Sequence, residues 1–235
     1  MALLNLGLTY FDSGDLARSQ STLEDALAIR RQQRDKNNTA QALAALAGVA
    51  LAQDRLTEAR GLIAESISLR QQLGETISLA QSKLVLSQIL LEQGRSADAA
   101  KIAREAAAAF RVVQAPATEA EAALIEAAAQ LKQNVGQART LLERASQLLR
   151  DSLDARLSFG REILLARLRL AEGRHADSLA VLERSLDQAR RTGLLGAELE
   201  ARLAIAQAGR TAAAGTLSVD ARRAGFLLIA RKAQQ

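Results

Sequence analysis

The chain has 235 residues, 49% of them hydrophobic but only 2% aromatic, with a formal charge of +5 and no cysteine. That length can bury a substantial core, yet the scarcity of bulky anchors favours many small local cores over one globular centre. The lack of cysteine excludes disulfide staples and thiolate metal sites and fits a reducing compartment.

Ala, Leu, Glu, Gln and Arg dominate, and these lose little side-chain freedom in a helix, so no strand is expected. The start, MALLNLGLTYFDSG, lacks the basic flank and small-residue cleavage site of a signal peptide. No apolar run approaches the roughly 18 to 20 residues of a membrane span. A soluble, cytoplasmic protein is expected.

Along the chain, Leu3, Leu6 and Tyr10 mark the apolar face of a first helix, and Leu16, Leu23, Ala26 and Leu27 that of a second. Between them stands Gly14-Asp15-Leu16-Ala17-Arg18-Ser19. The block recurs in form at Asp54–Ala59, Gly94–Ala99, Gln133–Ala138, Gly173–Ser178 and, loosely, Gly209–Ala214. Internal periodicity near 40 residues signals stacked helical hairpins. Six are predicted, over residues 1–35, 36–74, 75–114, 115–152, 153–193 and 194–224, with a short helix from Phe226 to Ala233 in a capping segment, 225–235. The leading Gly permits the backbone turn, and the small residue five positions on (Ser19, Ala59, Ala99, Ala138, Ser178, Ala214) lets the second helix lie close to the first. Asp54 tolerates the turn conformation better than Gln133. Pro116 suits a first helical turn, while Asn38 or Thr39, and Thr76, are expected caps.

With Leu6-Gly7, Tyr10, Gly14-Asp15, Leu23 and Ala26-Leu27 on family positions, the first hairpin resembles a tetratricopeptide repeat. Later repeats drift, with Ala47, Ser87 and Ala166 for the early glycine and Ser66 and Ser185 for the late alanine. The long period is similar to variants in kinesin light chains, G-protein-regulator adaptors and the helical arms of bacterial transcription activators. HEAT and armadillo repeats have comparable periods but do not explain the Gly-Asp turn. The resemblance implies an all-α, right-handed superhelical solenoid with first (A) helices lining a concave groove.

Family positions place Leu4, Asn5, Leu8 and Phe11 of repeat one on that groove, with Ala44, Ala45 and Gly48 of repeat two. Leu84, Val85, Gln88 and Leu91 follow from repeat three, then Leu124 and Ala127, then Leu164 and Arg167. The lining reads as mainly apolar and suited to an amphipathic helix or extended apolar segment. Only Asn5 and Arg167 resemble the polar clamp that grips a peptide C-terminus in the family.

Catalytic machinery is not expected. His175 is the only histidine and reads as a solvent-facing turn residue, while Glu119, Glu121 and Glu126 read as a solvated face. No phosphate-binding loop, metal site or cofactor is implied. From Gly209 onward Arg210, Arg222, Arg223, Arg231 and Lys232 oppose only Asp220, a basic end that reads as solvated surface or a docking patch for an acidic partner. Dispersed aromatics argue against nucleic acid, and apolar faces already used by neighbouring helices argue against membranes.

The expected function is non-catalytic binding of a protein or peptide. No polar capping helix precedes the first repeat, so the chain is expected to be the C-terminal part of a longer bacterial signalling or regulatory protein. Another domain of that protein is then one candidate partner. A ligand-sensing arm controlling a kinase or DNA-binding domain, and a homo-oligomer formed through exposed solenoid ends, are the alternatives.

Overall fold

Every predicted segment is helical in the computed structural model, which describes residues 2–209 and 214–235. The A helices are α1 (Ala2–Asp12), α3 (Lys36–Ala52), α5 (Thr76–Glu92), α7 (Pro116–Gln130), α9 (Ala155–Ala171) and α11 (Leu195–Gln207). Their B partners are α2 (Leu16–Gln32), α4 (Leu56–Leu73), α6 (Ser96–Val112), α8 (Val135–Leu148), α10 (His175–Thr192) and α12 (Ala214–Arg223), and α13 (Leu227–Lys232) ends the chain. There is no strand among the described residues.

The hairpin turns at Gly14, Asp54, Gly94 and Gly173 each depend on one left-handed residue. Gly14 stands at φ 83° and Asp54 at 59°. The N–H after each reaches back five residues, Asp15 to the Tyr10 carbonyl at 2.9 Å and Arg55 to that of Ala50 at 2.8 Å, which satisfies carbonyls the helix leaves open. Gln133 makes no such turn. Instead α7 stops after 15 residues where α5 runs for 17, and Asn134 caps α8 by accepting from the Gln137 N–H at 3.0 Å. In the sixth block, residues 210–213 and the side chain of Ala214 lie outside the described residues.

Pro116 opens α7 as expected, but two caps differ. Asp35 caps α3, accepting from the Asn38 backbone N–H at 3.1 Å and from the Asn38 side chain at 2.6 Å, while the Thr39 hydroxyl donates to the Asp35 carbonyl at 2.6 Å. A carboxylate is the stronger acceptor at the positive end of a helix, so it takes the place expected of Asn38 or Thr39. Thr76 is already helical, and Glu75 before it makes no side-chain cap.

Four buried serines are satisfied across helix contacts. Ser19 donates to the Gly7 carbonyl at 2.8 Å, Ser87 to Ala99 at 2.7 Å and Ser178 to Ala166 at 2.8 Å. Ser66 donates to the Ala40 carbonyl at 2.7 Å and lies 2.8 Å from the Ser82 hydroxyl, joining two repeats. A small hydroxyl that finds a facing carbonyl fits as closely as alanine without leaving a buried polar group unmade.

Packing is local: a chain of small clusters, each shared by a hairpin and the next A helix, such as Leu4, Leu23, Leu27 and Leu43 in repeats one and two. Successive A helices touch one another (α3 with α5, α5 with α7, α7 with α9, α9 with α11), whereas the B helices pack mainly on their A neighbours. That places the A helices on the inner side of the curve, where the radius is smaller.

The far end of the solenoid returns to its start. Leu16, Leu199, Leu203, Leu217, Phe226 and Ile229 are buried in one cluster, with Phe11 and Ala52 packed against it. Leu195 covers Gly14 so closely that a Cβ there would stand 2.8 Å from it. Arg231 grips Asp54 with two bonds of 2.6 and 3.0 Å, and Lys232 reaches Glu92 at 2.7 Å. The expectation of two exposed ends is therefore corrected: the C-terminal end is covered by the first hairpins because the curvature brings it round to them. The N-terminal end keeps Leu3, Leu6 and Ile29 at the surface.

Candidate functional site: the inner face

The inner face is built from A-helix positions one repeat apart. On α3, Gln41, Ala44, Ala45 and Gly48 form one stripe at helical spacing, and Gln81, Val85 and Gln88 repeat it on α5. Gly48 opens it: a Cβ there would meet nothing within 4 Å. None of the Gln41, Gln81 and Gln88 amides bonds another described residue. On α7 the equivalent position is Glu121, whose carboxyl burial pushes above its usual range, with Arg156 opposing and Asp154 adding to the effect. Arg156 also reaches Asp12 of α1 at 3.5 Å, so charged groups from three repeats meet on this side.

The expected groove residues divide into two sets. Leu4, Leu84, Leu124, Ala127 and Leu164 are closed inside hairpin cores. A ligand cannot reach them, because long helices packed A on A consume those side chains. Asn5 and Leu8 are exposed, and Phe11 is half-buried against the closing cluster. Ala44, Ala45, Gly48, Val85, Gln88 and Leu91 are half-buried, as is Arg167, which pairs with Glu200 at 3.4 Å. Among these reachable residues Asn5, Gln88 and Arg167 are polar and the others apolar. Sequence reasoning passed over Gln41 and Gln81 and set Glu121, here half-buried, on a solvated face; their recurrence at 40-residue spacing was the available signal.

Two acidic readings change. Glu119 and Glu126 are not on a solvated face: they are 5% and 4% exposed, Glu119 accepting from Arg111 and Arg144 and Glu126 from Arg104. The basic end divides likewise. Arg222 and Arg223 are exposed, but Arg231 and Lys232 are spent on Asp54 and Glu92. The acidic partner of these two cations is the chain itself.

His175 is the exposed first residue of α10. Among the described residues no group of three or more His, Cys, Asp or Glu side chains could hold a metal ion, and no helix is long and apolar enough to cross a membrane. Two clefts lie elsewhere. One of about 220 Å³ opens at the N-terminal end beside Leu3, Leu4 and Ile29. The other, of about 470 Å³, lies between α4 and α6, lined by Arg60, Ile67, Arg95 and Ile102.

Residues 1–72 match the tetratricopeptide repeat family. No curated protein matches the chain in sequence. Among solved structures, a Rap protein complexed with competence and sporulation factor is similar with a TM-score of 0.66 at 14% identity, over 94% of this chain and 64% of that one. The apo form of RapI is similar with a TM-score of 0.63 at 16% identity, over 94% of this chain and 82% of that one. The chain thus spans less than two thirds of the first relative's length. At these identities the likeness establishes the fold alone, an all-helical solenoid of tetratricopeptide type.

Proposed function

We propose that this chain is a non-catalytic interaction module that takes a partner's peptide or helix along its inner face, between Phe11 and Arg167. The observation that carries this is the ladder of free amides, Gln41, Gln81 and Gln88, beside the open floor at Gly48. Gln41 and Gln81, one repeat apart, and Gln88, two turns further along α5, can donate to and accept from a bound backbone, while Ala44, Ala45 and Val85 offer apolar contact between them. Burial of apolar area supplies about 25 cal/mol per Å², less the cost of ordering the segment. Placement within a longer bacterial regulatory protein is part of the proposal. The similarity to a longer Rap protein that holds competence and sporulation factor supports it.

Peptides selected on the wild-type chain from a display library test the reading when remeasured against Gly48→Arg, which fills the floor without a backbone clash, and against the outer-surface control Arg60→Ala. Circular dichroism verifies helicity. At least a tenfold loss with Gly48→Arg alone is the expected result. Undiminished affinity would remove the inner face from consideration.

A further inference from the structure

The C-terminal rims of α1, α3 and α5 form a second surface, distinct from the inner-face stripe. Helix C-termini carry partial negative charge, and here all three also carry carboxylates: Asp12 ends α1 and faces Arg156, Asp54 stands just beyond α3, and Glu92 ends α5. The floor beside them is apolar: Leu16, 1% exposed, with Phe11 and Ala52 at its edge. α13 rests on this rim with an apolar face of Phe226, Ile229 and Ala230 and two cations, Arg231 set on Asp54 and Lys232 on Glu92. The segment is six residues long and Leu227 on its far side is exposed; besides the rim it packs on α12 and α11, with Ser218 donating to the Ala230 carbonyl at 3.3 Å.

A short tethered helix whose apolar triplet and paired cations match an apolar floor and paired carboxylates has the chemistry of a ligand. We infer that the α1–α3–α5 rim is a docking surface for a basic, apolar helical segment of a partner protein, and that α13 occupies it in cis, so that a partner binds by displacing α13. The inference rests on the reading of the chain as an interaction module, but apart from Phe11, which borders both surfaces, it concerns other residues than the inner-face stripe. Tethering gives α13 a high effective concentration, so only a partner presenting more contacts, or a weakened α13, opens the rim. Displacement would also free the closing cluster around Leu16 and Phe226 and part the two ends of the solenoid.

The test uses the full chain and, as probe, a fluorescein-labelled peptide of residues 224–235, followed by fluorescence anisotropy. Arg231→Glu with Lys232→Glu weakens the cis helix. Adding Asp54→Arg and Glu92→Lys reverses the rim. The weakened chain is expected to bind the peptide at least tenfold more tightly than wild type, and rim reversal to undo that gain. Equal binding to wild type and weakened chain, or binding insensitive to rim reversal, overturns the inference. Should the double glutamate lower helicity, Arg231→Gln with Lys232→Gln gives the same comparison at smaller amplitude. Gly48→Arg placed in the weakened chain should leave peptide binding unchanged, so failure here and failure of the inner-face reading are told apart.

Discussion

Glu119 offers a sharp test of the electrostatics. It lies in the first turn of α7, 5% exposed, and accepts from Arg111 Nε at 3.0 Å and Arg144 Nε at 3.1 Å, tying α6 and α8 to α7. Burial draws its carboxyl upward, but the hydrogen bonds from Arg144 and Arg111 outweigh burial and hold it below the ordinary range. A carboxyl depressed in the folded state contributes stability that is present above its unfolded value and is lost as pH falls through the lower folded one. Buried charged hydrogen bonds are worth about 1.5–3 kcal/mol each. Here the arginine side chains are 58% and 45% exposed, so water competes for them and the sum is smaller. Glutamine keeps the shape and one acceptor, so Glu119→Gln should cost about 1 kcal/mol at pH 7 and lower the Tm by roughly 2–4 °C in a chain of this size. Urea titrations of both proteins from pH 7 down to pH 2 are the assay. The difference should shrink through the acid range as wild-type Glu119 takes up its proton. A gap that is constant with pH, or a glutamine variant more stable at pH 7, would refute the assignment of charge to this site.

Phe110 is fully buried among Ala103, Ala106, Ala107 and Ala122, which cannot close a large void, so Phe110→Ala should cost about 3–5 kcal/mol by denaturant titration. Gln114 holds φ 53° between repeats three and four, and Gln114→Gly should raise the urea midpoint, a gain of up to about 1 kcal/mol. Gly14→Ala combines a positive φ with a Cβ 2.8 Å from Leu195 and should cost about 1–3 kcal/mol. In that variant amide exchange at the start of α11 should quicken.

The repeat architecture was legible in the residues because each hairpin is a local object: a 3.6-residue apolar period, a turn residue able to go left-handed, and a small residue where two helices cross. Pro116 and Gly14 speak through backbone geometry alone, and both stand where the pattern put them. The first groove reading failed at Leu84 and Leu124 for a reason no single repeat displays. Whether a helical leucine faces a ligand or the next hairpin depends on how repeats rotate against one another. The same holds for Glu119 and Glu126, whose charge is compensated by arginines on neighbouring helices 8 to 25 positions away in sequence.

The helical hairpins and their number follow from the sequence alone, because these depend on contacts within about one repeat. Only the tertiary structure decided which inward residues remain open and that the basic C-terminus meets the acidic rim of the first repeats. Those contacts join residues 140 to 177 positions apart, brought together by the summed small rotations of six stacked hairpins.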